Sequence, residues 1–348
     1  MKQRASTNRI MLGFVALGAA LFLCSCGGGG IQNAINPAGP NAQSLSRLWW
    51  LMFWVCTGVY VLVIITVAIA VRKGTRARDL DPVLEFSPQT TKHKVTAVLS
   101  AVAVSAVILF VFLIYSYSTG RALTADLGQK NGLSIELTGH QWWWEARYND
   151  VDASNMFTTA NEIHIPVGVP VLFTLRSSDV IHSFWVPNLG GKKDLIPGKV
   201  ATMWLQADKP GVYRGQCAEY CGLQHARMAL WIVADPPDQF IAWRQNATQG
   251  SVPPSTDSQK RGQQVFLSST CVMCHAIGGT TAGSNFGPNL THVGSRNTIA
   301  AATISNTRDH LASWVANSQT FKPGNRMPPN NLSDQDLQAV VDYLQSLK

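Results

Sequence analysis

The sequence predicts a multidomain protein with three folded parts in series: a two-helix transmembrane hairpin (45–117), an all-β barrel (118–236) and an all-α domain (257–348). Three observations support this division. Two uncharged apolar stretches, 49–71 and 95–117, each have about 23 residues and can cross ~30 Å of hydrocarbon. Short alternating strand patterns broken by Gly and Pro fill the middle part, and amphipathic helical patterns fill the last. A chain of 348 residues is long enough for several domains.

The beginning of the chain has the pattern of a secretory signal. Residues 1–26 contain a basic lead, an apolar run and then small residues. The run Leu23-Cys24-Ser25-Cys26 resembles a bacterial lipobox, which predicts that Cys26 is lipidated and becomes the mature N-terminus. An ordinary signal peptide and a third, uncleaved span are the alternatives.

The positive charge is concentrated around the apolar stretches. The formal net charge is +8, and residues 1–117 hold ten Lys or Arg against three Asp or Glu. The rest of the chain leaves no basic face for nucleic acid, so nucleic acid is not an expected partner. The loop between the two stretches is basic, whereas the segment before the first stretch offers only Arg47. The positive-inside rule therefore places this loop in the cytoplasm and everything after Tyr117 on the outer side of a bacterial plasma membrane.

The secondary structure of the two soluble parts follows from periodicity and turn residues. Strands are predicted at 133–137, 162–165, 169–175, 201–206 and 230–234. Residues 237–256, rich in Pro, Ser and Thr, are predicted to form a linker with a short helix around 239–244. Helices are predicted at 259–267, near Thr298, at 308–316 and at 333–348, the last with Ser333 as its N-cap.

The densest chemistry of the chain lies at the end of the all-β part. Its sequence is Cys217-Ala-Glu-Tyr-Cys221-Gly-Leu-Gln-His225-Ala-Arg-Met228. Two thiolates, an imidazole and a thioether so close together form a ligand set that prefers copper. Because there are two cysteines, their sulfurs can bridge two copper ions that share one odd electron.

A disulfide and a zinc site are the alternatives for these cysteines. A disulfide would leave the spacing of His225 and Met228 as coincidence, and zinc has no use for a Met ligand. A copper site needs a second His from elsewhere in the chain. By count alone, His140, His164 and His182 are all candidates.

The all-α part carries a second redox signature, Cys271-Val-Met-Cys274-His275. In c-type cytochromes, the two thiols of this motif bind the haem covalently and the His is an axial ligand. Met327, in a Met-Pro-Pro loop, is the candidate for the other axial position, whereas Met273 lies inside the motif and cannot reach across the ring. A zinc site or a redox-active thiol pair is the alternative.

The 217–228 run is similar to the CuA loop of cytochrome c oxidase subunit II, and the similarity extends over 45–236. Segments 139–144, 194–198 and 210–213 also resemble that family. The resemblance implies a cupredoxin barrel and selects His182 as the second imidazole. It assigns the copper ligands as bridging Cys217 and Cys221, terminal His182 and His225, axial Met228, and the main-chain carbonyl of Glu219.

The same resemblance implies three further roles. The Glu219 side chain would reach a magnesium ion at the interface with subunit I, where hard oxygen ligands suit the ion. Trp142 matches the tryptophan through which electrons arrive, although an aromatic run such as Trp142–Trp144 also suits packing. Glu85 is the candidate for the start of a proton pathway, but the Trp-Thr that usually follows this Glu is absent here.

The all-α part resembles a class I cytochrome c, and its fusion behind the copper part matches the caa3-type oxidases. The resemblance implies that a donor, such as a cytochrome or a quinol-oxidising complex, reduces haem c. The electron then passes to dinuclear CuA and on to subunit I, where O2 is reduced to water with proton pumping. Subunits I and III are the expected partners. A free-standing electron carrier or a copper-storage lipoprotein is the alternative from a non-catalytic class.

Overall fold

The computed structural model describes residues 30–76, 88–124 and 133–348. The predictions for the signal sequence, for lipidation of Cys26 and for Glu85 lie outside these residues. The described chain forms a pair of long helices, a β-sandwich and a small helical domain.

Two long apolar helices form the first part. Helix α1 (Pro40–Arg76) and helix α2 (Pro88–Thr124) contact each other and extend beyond the predicted apolar stretches at both ends. Both are long and apolar enough to cross a membrane. Large apolar side chains are exposed along both helices. Such a surface must be covered by lipid or by other membrane helices.

The first turn of α1 is fixed to the β-sandwich. Asn188 accepts a hydrogen bond from the main-chain nitrogen of Ala38 at 2.7 Å through its carbonyl oxygen. The buried Asn41 side chain donates to the carbonyl oxygen of Trp204, also at 2.7 Å. The segment before α1 therefore lies at the same end of the helix pair as the β-sandwich.

Ten strands build the middle domain: β1 (Leu133–His140), β2 (Trp143–Asn149), β3 (Phe157–Ala160), β4 (Glu162–Pro166), β5 (Val171–Ser177), β6 (His182–Trp185), β7 (Lys192–Leu195), β8 (Ala201–Leu205), β9 (Gly211–Gln216) and β10 (Ala229–Asp235). One sheet has the order β3-β2-β1-β5-β8, another has the order β4-β10-β9, and β6 and β7 form a separate hairpin. The β1–β5 and β4–β10 pairs are parallel, and the other pairs are antiparallel. All five predicted strands are present.

The two larger sheets enclose one apolar core. Alternate residues of β1 and β5 face inward, and the fully buried aromatic side chains include Trp144, Phe173 and Phe184. The predicted linker begins with helix α3 (Pro237–Ala247), which is longer than the short helix expected there. Phe240 and Trp243 of α3 pack against the core of the sandwich. The beginning of the predicted linker is therefore held on the β domain.

The C-terminal domain contains helices α4 (Asp257–Ser268), α5 (Arg308–Ala316) and α6 (Asp334–Ser346). Ser333 is the N-cap of α6, as predicted, since its side chain accepts from Asp336 N. Helices α4 and α6 cross at Gly262, where an added Cβ would lie 2.0 Å from the carbonyl oxygen of Ala339. Only glycine allows this close approach.

The helix predicted near Thr298 is wrong. Strand β11 (Thr298–Ile299) pairs there with strand β12 (Ile304–Ser305). The residues between them include Ala300, Ala301 and Ala302, whose φ angles are 55°, 57° and 57°. A right-handed helix cannot continue through three residues in the left-handed region. Alanine favours helices, so the local sequence alone gave the wrong structure here.

Candidate metal and haem sites

The loop between β9 and β10 brings two cysteine sulfurs together beneath the surface. The Sγ atoms of Cys217 and Cys221 are 3.8 Å apart, and both residues are buried. Both are free thiols, so the disulfide alternative does not describe this structure. The Sγ atoms and the His182 ring form a group whose ligand atoms all lie within 4.8 Å of one another.

The other predicted ligands surround the two sulfurs. His182 presents Nδ1 to the sulfur of Cys217 at 3.9 Å, and His225 presents Nδ1 to the sulfur of Cys221 at 3.6 Å. The Met228 sulfur lies 3.7 Å from Cys221 Sγ. The carbonyl oxygen of Glu219 lies 3.2 Å from Cys217 Sγ, while the Glu219 side chain is exposed. The structure thus brings all six predicted ligands together.

The two competing histidines have other partners. The His140 ring stacks on Trp143 with centroids 4.3 Å apart and shares a hydrogen bond with Ser178. The His164 ring stacks on Trp243 with centroids 4.2 Å apart, and its Nδ1 lies 2.6 Å from Asp235. Geometry therefore selects His182, as the family resemblance does.

Asp179 orients the His182 ring, a role that was not predicted from the sequence. Its Oδ1 lies 2.8 Å from Nε2 of His182, and its carboxylate also accepts the main-chain N–H groups of Gln141 and Val180. A carboxylate that holds the outer nitrogen of a histidine fixes its orientation toward a metal. The Asp-x-x-His spacing of residues 179–182 was the available signal.

Gly139 gives the His182 ring its space. A Cβ on Gly139 would lie 2.8 Å from Cδ2 of His182, which is closer than real Cβ atoms come. The main chain of strand β1 at Gly139 therefore contacts the His182 imidazole directly, with no side chain between them. Together with Asp179, this contact restricts the ring to the position in which Nδ1 faces the sulfur of Cys217.

The protonation of the two thiols is coupled. Their shared hydrogen bond lowers the pKa of the Cys217 thiol to about 3, against the effect of burial. The same hydrogen bond, together with burial, raises the pKa of Cys221 above its ordinary value. The first thiolate therefore forms readily, whereas the second proton must be displaced by metal binding.

This donor set fits copper. Two sulfur bridges, two imidazole nitrogens, a thioether and a carbonyl oxygen are soft or intermediate ligands, and a thioether in the set disfavours zinc. His182, Cys217, Glu219, Cys221, His225 and Met228 would hold the metal.

The haem-binding motif lies on a tight turn after α4. The main-chain nitrogens of Cys274 and His275 donate to the carbonyl oxygen of Cys271 at 3.2 and 3.0 Å. Nδ1 of His275 lies 2.8 Å from the carbonyl oxygen of Pro288, so Nε2 is left for iron. Burial lowers the pKa of His275, which keeps the ring neutral as an iron ligand must be.

Met327 lies in a loop that is well fixed. Its carbonyl oxygen accepts from Ser318 Oγ at 2.7 Å and from the Gln319 side chain at 2.9 Å, and its N–H donates to Asn325 Oδ1 at 2.8 Å. Two thiols, a neutral imidazole and a thioether in an ordered loop fit a covalently attached haem c.

The fold and these donors define a membrane-associated redox protein with a copper domain and a haem domain. Residues 151–235 match the family described as cytochrome c oxidase subunit II, periplasmic domain, and residues 259–348 match the family described as cytochrome c. Cytochrome c oxidase subunit 2 of Alkalihalophilus pseudofirmus is 37% identical over 334 residues, which are 94% of each chain. That of Bacillus sp. (strain PS3) is 31% identical over 239 residues, 66% of each chain.

Among solved structures, the periplasmic domain of cytochrome oxidase subunit II from Bradyrhizobium japonicum is 32% identical, covers 35% of this chain and 96% of that chain, and gives a TM-score of 0.33. The coverage and identity of the relatives show the family. The chain belongs to the cytochrome c oxidase subunit 2 family, with a cytochrome c domain fused behind its cupredoxin-like domain. It is part of a haem–copper terminal oxidase, so other oxidase subunits are its partners.

Proposed function

We propose that this chain is the electron-input subunit of its oxidase. Electrons from an external donor pass through its own haem c to a dinuclear CuA centre. They then pass to subunit I, where O2 is reduced to water and protons are pumped. The donor is a cytochrome or a quinol-oxidising complex, and subunit III is a further partner.

One observation carries this proposal: two cysteine sulfurs 3.8 Å apart, with the imidazole of His182 facing one and that of His225 facing the other. With this arrangement, His182, His225 and the two cysteines would hold two metal ions. Two copper ions bound there would supply one delocalised electron carrier whose bonding changes little on reduction. The protein contributes a pre-arranged set of ligands, of which His182, Cys217, Cys221 and Met228 are buried.

The fused haem domain makes the transfer intramolecular. A tethered donor is present at an effective concentration set by the chain, so the rate no longer depends on a free cytochrome. Cys271, Cys274, His275 and Met327 would hold haem c, which would supply a one-electron carrier whose potential the thioether raises.

The exposed Glu219 side chain supports a magnesium site shared with subunit I. Its carbonyl oxygen lies 3.2 Å from the sulfur of Cys217, while its side chain is exposed. A carboxylate suits magnesium. A single residue would then join the copper centre to the subunit interface.

The membrane arrangement rests on two observations. The basic loop between the helices predicts a cytoplasmic connection. The segment before α1 packs on the β-sandwich, which places both at one end of the helix pair. We therefore propose that the copper and haem domains lie on the outer face of a bacterial plasma membrane. Lipidation of Cys26 and proton uptake near Glu85 are part of the same proposal.

Copper analysis and electron paramagnetic resonance of the oxidised oxidase test the copper assignment. We expect the wild type to hold two more copper ions per chain than the Cys217→Ser, Cys221→Ser double variant, and to show a hyperfine pattern that requires two equivalent nuclei. Cys217→Ser and Cys221→Ser should each abolish this pattern, whereas Cys56→Ser, at an exposed position in α1, should retain it. A difference of only one copper per chain, or full redox activity in the double variant, would contradict the proposal.

A further inference from the structure

The haem domain contacts the copper domain directly, and one of the contacts is made by a short loop. We call residues 321–327 the docking loop, and Met327 is its last residue. Its Lys322 side chain is only 3% exposed, and its ammonium group donates to the carbonyl oxygen of Trp142 at 2.8 Å. Gln224, in the copper loop, donates to the carbonyl oxygen of Pro323 at 2.5 Å. Arg227 donates to the carbonyl oxygen of Phe321.

Hydrogen bonds continue from the docking loop to a copper ligand. The Trp142 indole N–H donates to the carbonyl oxygen of Cys221 at 2.9 Å, and the Gln141 side chain donates to the same oxygen at 2.8 Å. Arg326, which precedes Met327, donates to Gln141 Oε1 at 3.0 Å. Two bridges, one from Lys322 and one from Arg326, therefore converge on Cys221.

A second patch fixes the orientation of the two domains. The Glu162 carboxylate of β4 accepts the main-chain N–H of Asn297 at 3.0 Å, and the Trp231 indole donates to Thr298 Oγ1 at 3.0 Å. Ala229 N donates to the carbonyl oxygen of Ala301, within the turn of positive φ. Two separate patches prevent the haem domain from pivoting on the docking loop.

Lys322 is a costly residue for so buried a position. Within the part of the chain that the structure describes, its hydrogen-bond acceptors are the carbonyl oxygens of Trp142 and Ala300, and no carboxylate pairs with it. Burial lowers the pKa of Lys322 to about 7. A buried cation without a paired charge is destabilising compared with an apolar residue of similar size. This cost points to a function other than stability.

We infer that the docking loop is the contact through which the haem domain delivers electrons to the copper domain, and that Lys322 is its positioning residue. This inference rests on the proposed function. One electron leaves the reduced haem iron and is taken up by the copper pair, and no bond is made or broken. The loop holds Met327 at a fixed place relative to Trp142 and Cys221, so transfer begins from one defined arrangement. Trp142 is 9% exposed and receives the electron from its own chain.

The test measures internal electron transfer in the purified oxidase. A photoexcited one-electron reductant reduces haem c, and the absorbance of haem and copper follows the transfer. Lys322→Met should slow this step about tenfold or more, because the docked arrangement loses its anchor and its effective concentration falls. Arg326→Gln should have a smaller effect, since its side chain is 66% exposed. Lys260→Met, at a 57% exposed position on the haem domain, should transfer at the wild-type rate.

Three further readouts separate positioning from a structural effect. The copper spectrum and the haem potential of Lys322→Met should match the wild type, and its thermal stability should be equal or higher. Amide hydrogen exchange in the docking loop should accelerate. Wild-type transfer in the Lys322→Met, Arg326→Gln double variant would overturn the inference. If Lys322→Met does not assemble, Gln224→Leu takes its place. Slower haem-to-copper transfer in Gln224→Leu would support the inference, and transfer at the wild-type rate would overturn it. Absence of haem-to-copper transfer in the wild type would instead contradict the proposed function.

Discussion

Asp179 Oδ1 lies 2.8 Å from Nε2 of His182, on the side of the imidazole opposite the Nδ1 that faces the sulfur of Cys217. The predicted copper ligand His182 is therefore held on its outer side by a carboxylate that is itself fixed by two main-chain N–H groups. This pairing sets both the tautomer and the direction of the ring.

Replacing Asp179 tests this arrangement. Asp179→Asn should lower the affinity for copper roughly 10–100-fold, the usual effect of losing such a partner. Competition against a chelator of known affinity measures it. Asp208→Asn is the control, because Asp208 is an exposed carboxylate that accepts from Gln43 and Gln206. Equal copper affinity in the two variants would show that Asp179 does not orient the ligand.

Glu219 has two predicted roles: its main-chain carbonyl is a copper ligand, and its side chain is a magnesium ligand. Only its carbonyl oxygen faces the sulfurs, so Glu219→Gln should leave the copper spectrum unchanged. The same variant should lose magnesium from the assembled oxidase, because an amide is a weaker ligand than a carboxylate. Metal analysis and the copper spectrum of one sample measure both effects. An altered copper spectrum would show that the Glu219 side chain, and not its carbonyl oxygen, is the copper ligand.

His164 predicts a pH dependence of the stability of the β domain. Burial lowers its pKa, but hydrogen bonds to Asp235 and Glu162 outweigh burial and raise the pKa above its ordinary value of 6.5. A raised folded-state pKa contributes stability that is complete below 6.5 and is lost as pH rises through the folded-state pKa. The melting temperature should therefore fall in a step as the pH rises through the folded-state pKa of His164.

His164→Gln should be less stable than the wild type at low pH and should lack this step. Thermal denaturation of the copper-loaded protein across the pH range measures the difference. His310→Gln, at a site in the haem domain where the His ring contacts Ser305, serves as the control and should keep the step. A step of equal size in His164→Gln would assign it to another group.

Met327 predicts the potential of the haem. Met327→Leu should keep the haem covalently attached, because Cys271 and Cys274 are unchanged. Its reduction potential should fall, since a thioether ligand raises the potential. Redox titration of the haem band measures the change. Met273→Leu is the matched control, because Met273 is 67% exposed and lies inside the attachment motif. A fall in potential in Met273→Leu alone would show that Met273, and not Met327, is the axial ligand.

Gly262 predicts the stability of the haem domain. The Cβ of Gly262→Ala would lie 2.0 Å from the carbonyl oxygen of Ala339, so α4 and α6 must move apart. Overpacking of this kind costs about 1–3 kcal/mol. Denaturant unfolding followed by haem absorbance measures it. Gly283→Ala, where an added Cβ meets nothing within 4 Å, should differ little from the wild type. Equal losses in both variants would argue against the crossing as the cause.

Most of the predicted copper and haem ligands lie in short stretches of the chain. Cys217, Cys221, His225 and Met228 lie on one loop, and the haem motif lies on one turn, so their spacing already determines which donors meet. The two long apolar helices follow from the length and apolarity of local stretches for the same reason. Such local patterns also give the strand positions and the N-cap of α6.

Only the tertiary structure decided the features that join distant segments. His182 of strand β6 faces Cys217, 35 positions later in the chain, only in the folded β domain, and His140 and His164 are excluded by their aromatic and carboxylate partners. The turn at Ala300–Ala302 and the burial of Lys322 depend on contacts between two domains, which local helix propensity does not report. The reason is physical: spacing along the chain fixes what a residue can bind, whereas packing fixes which distant residue it reaches.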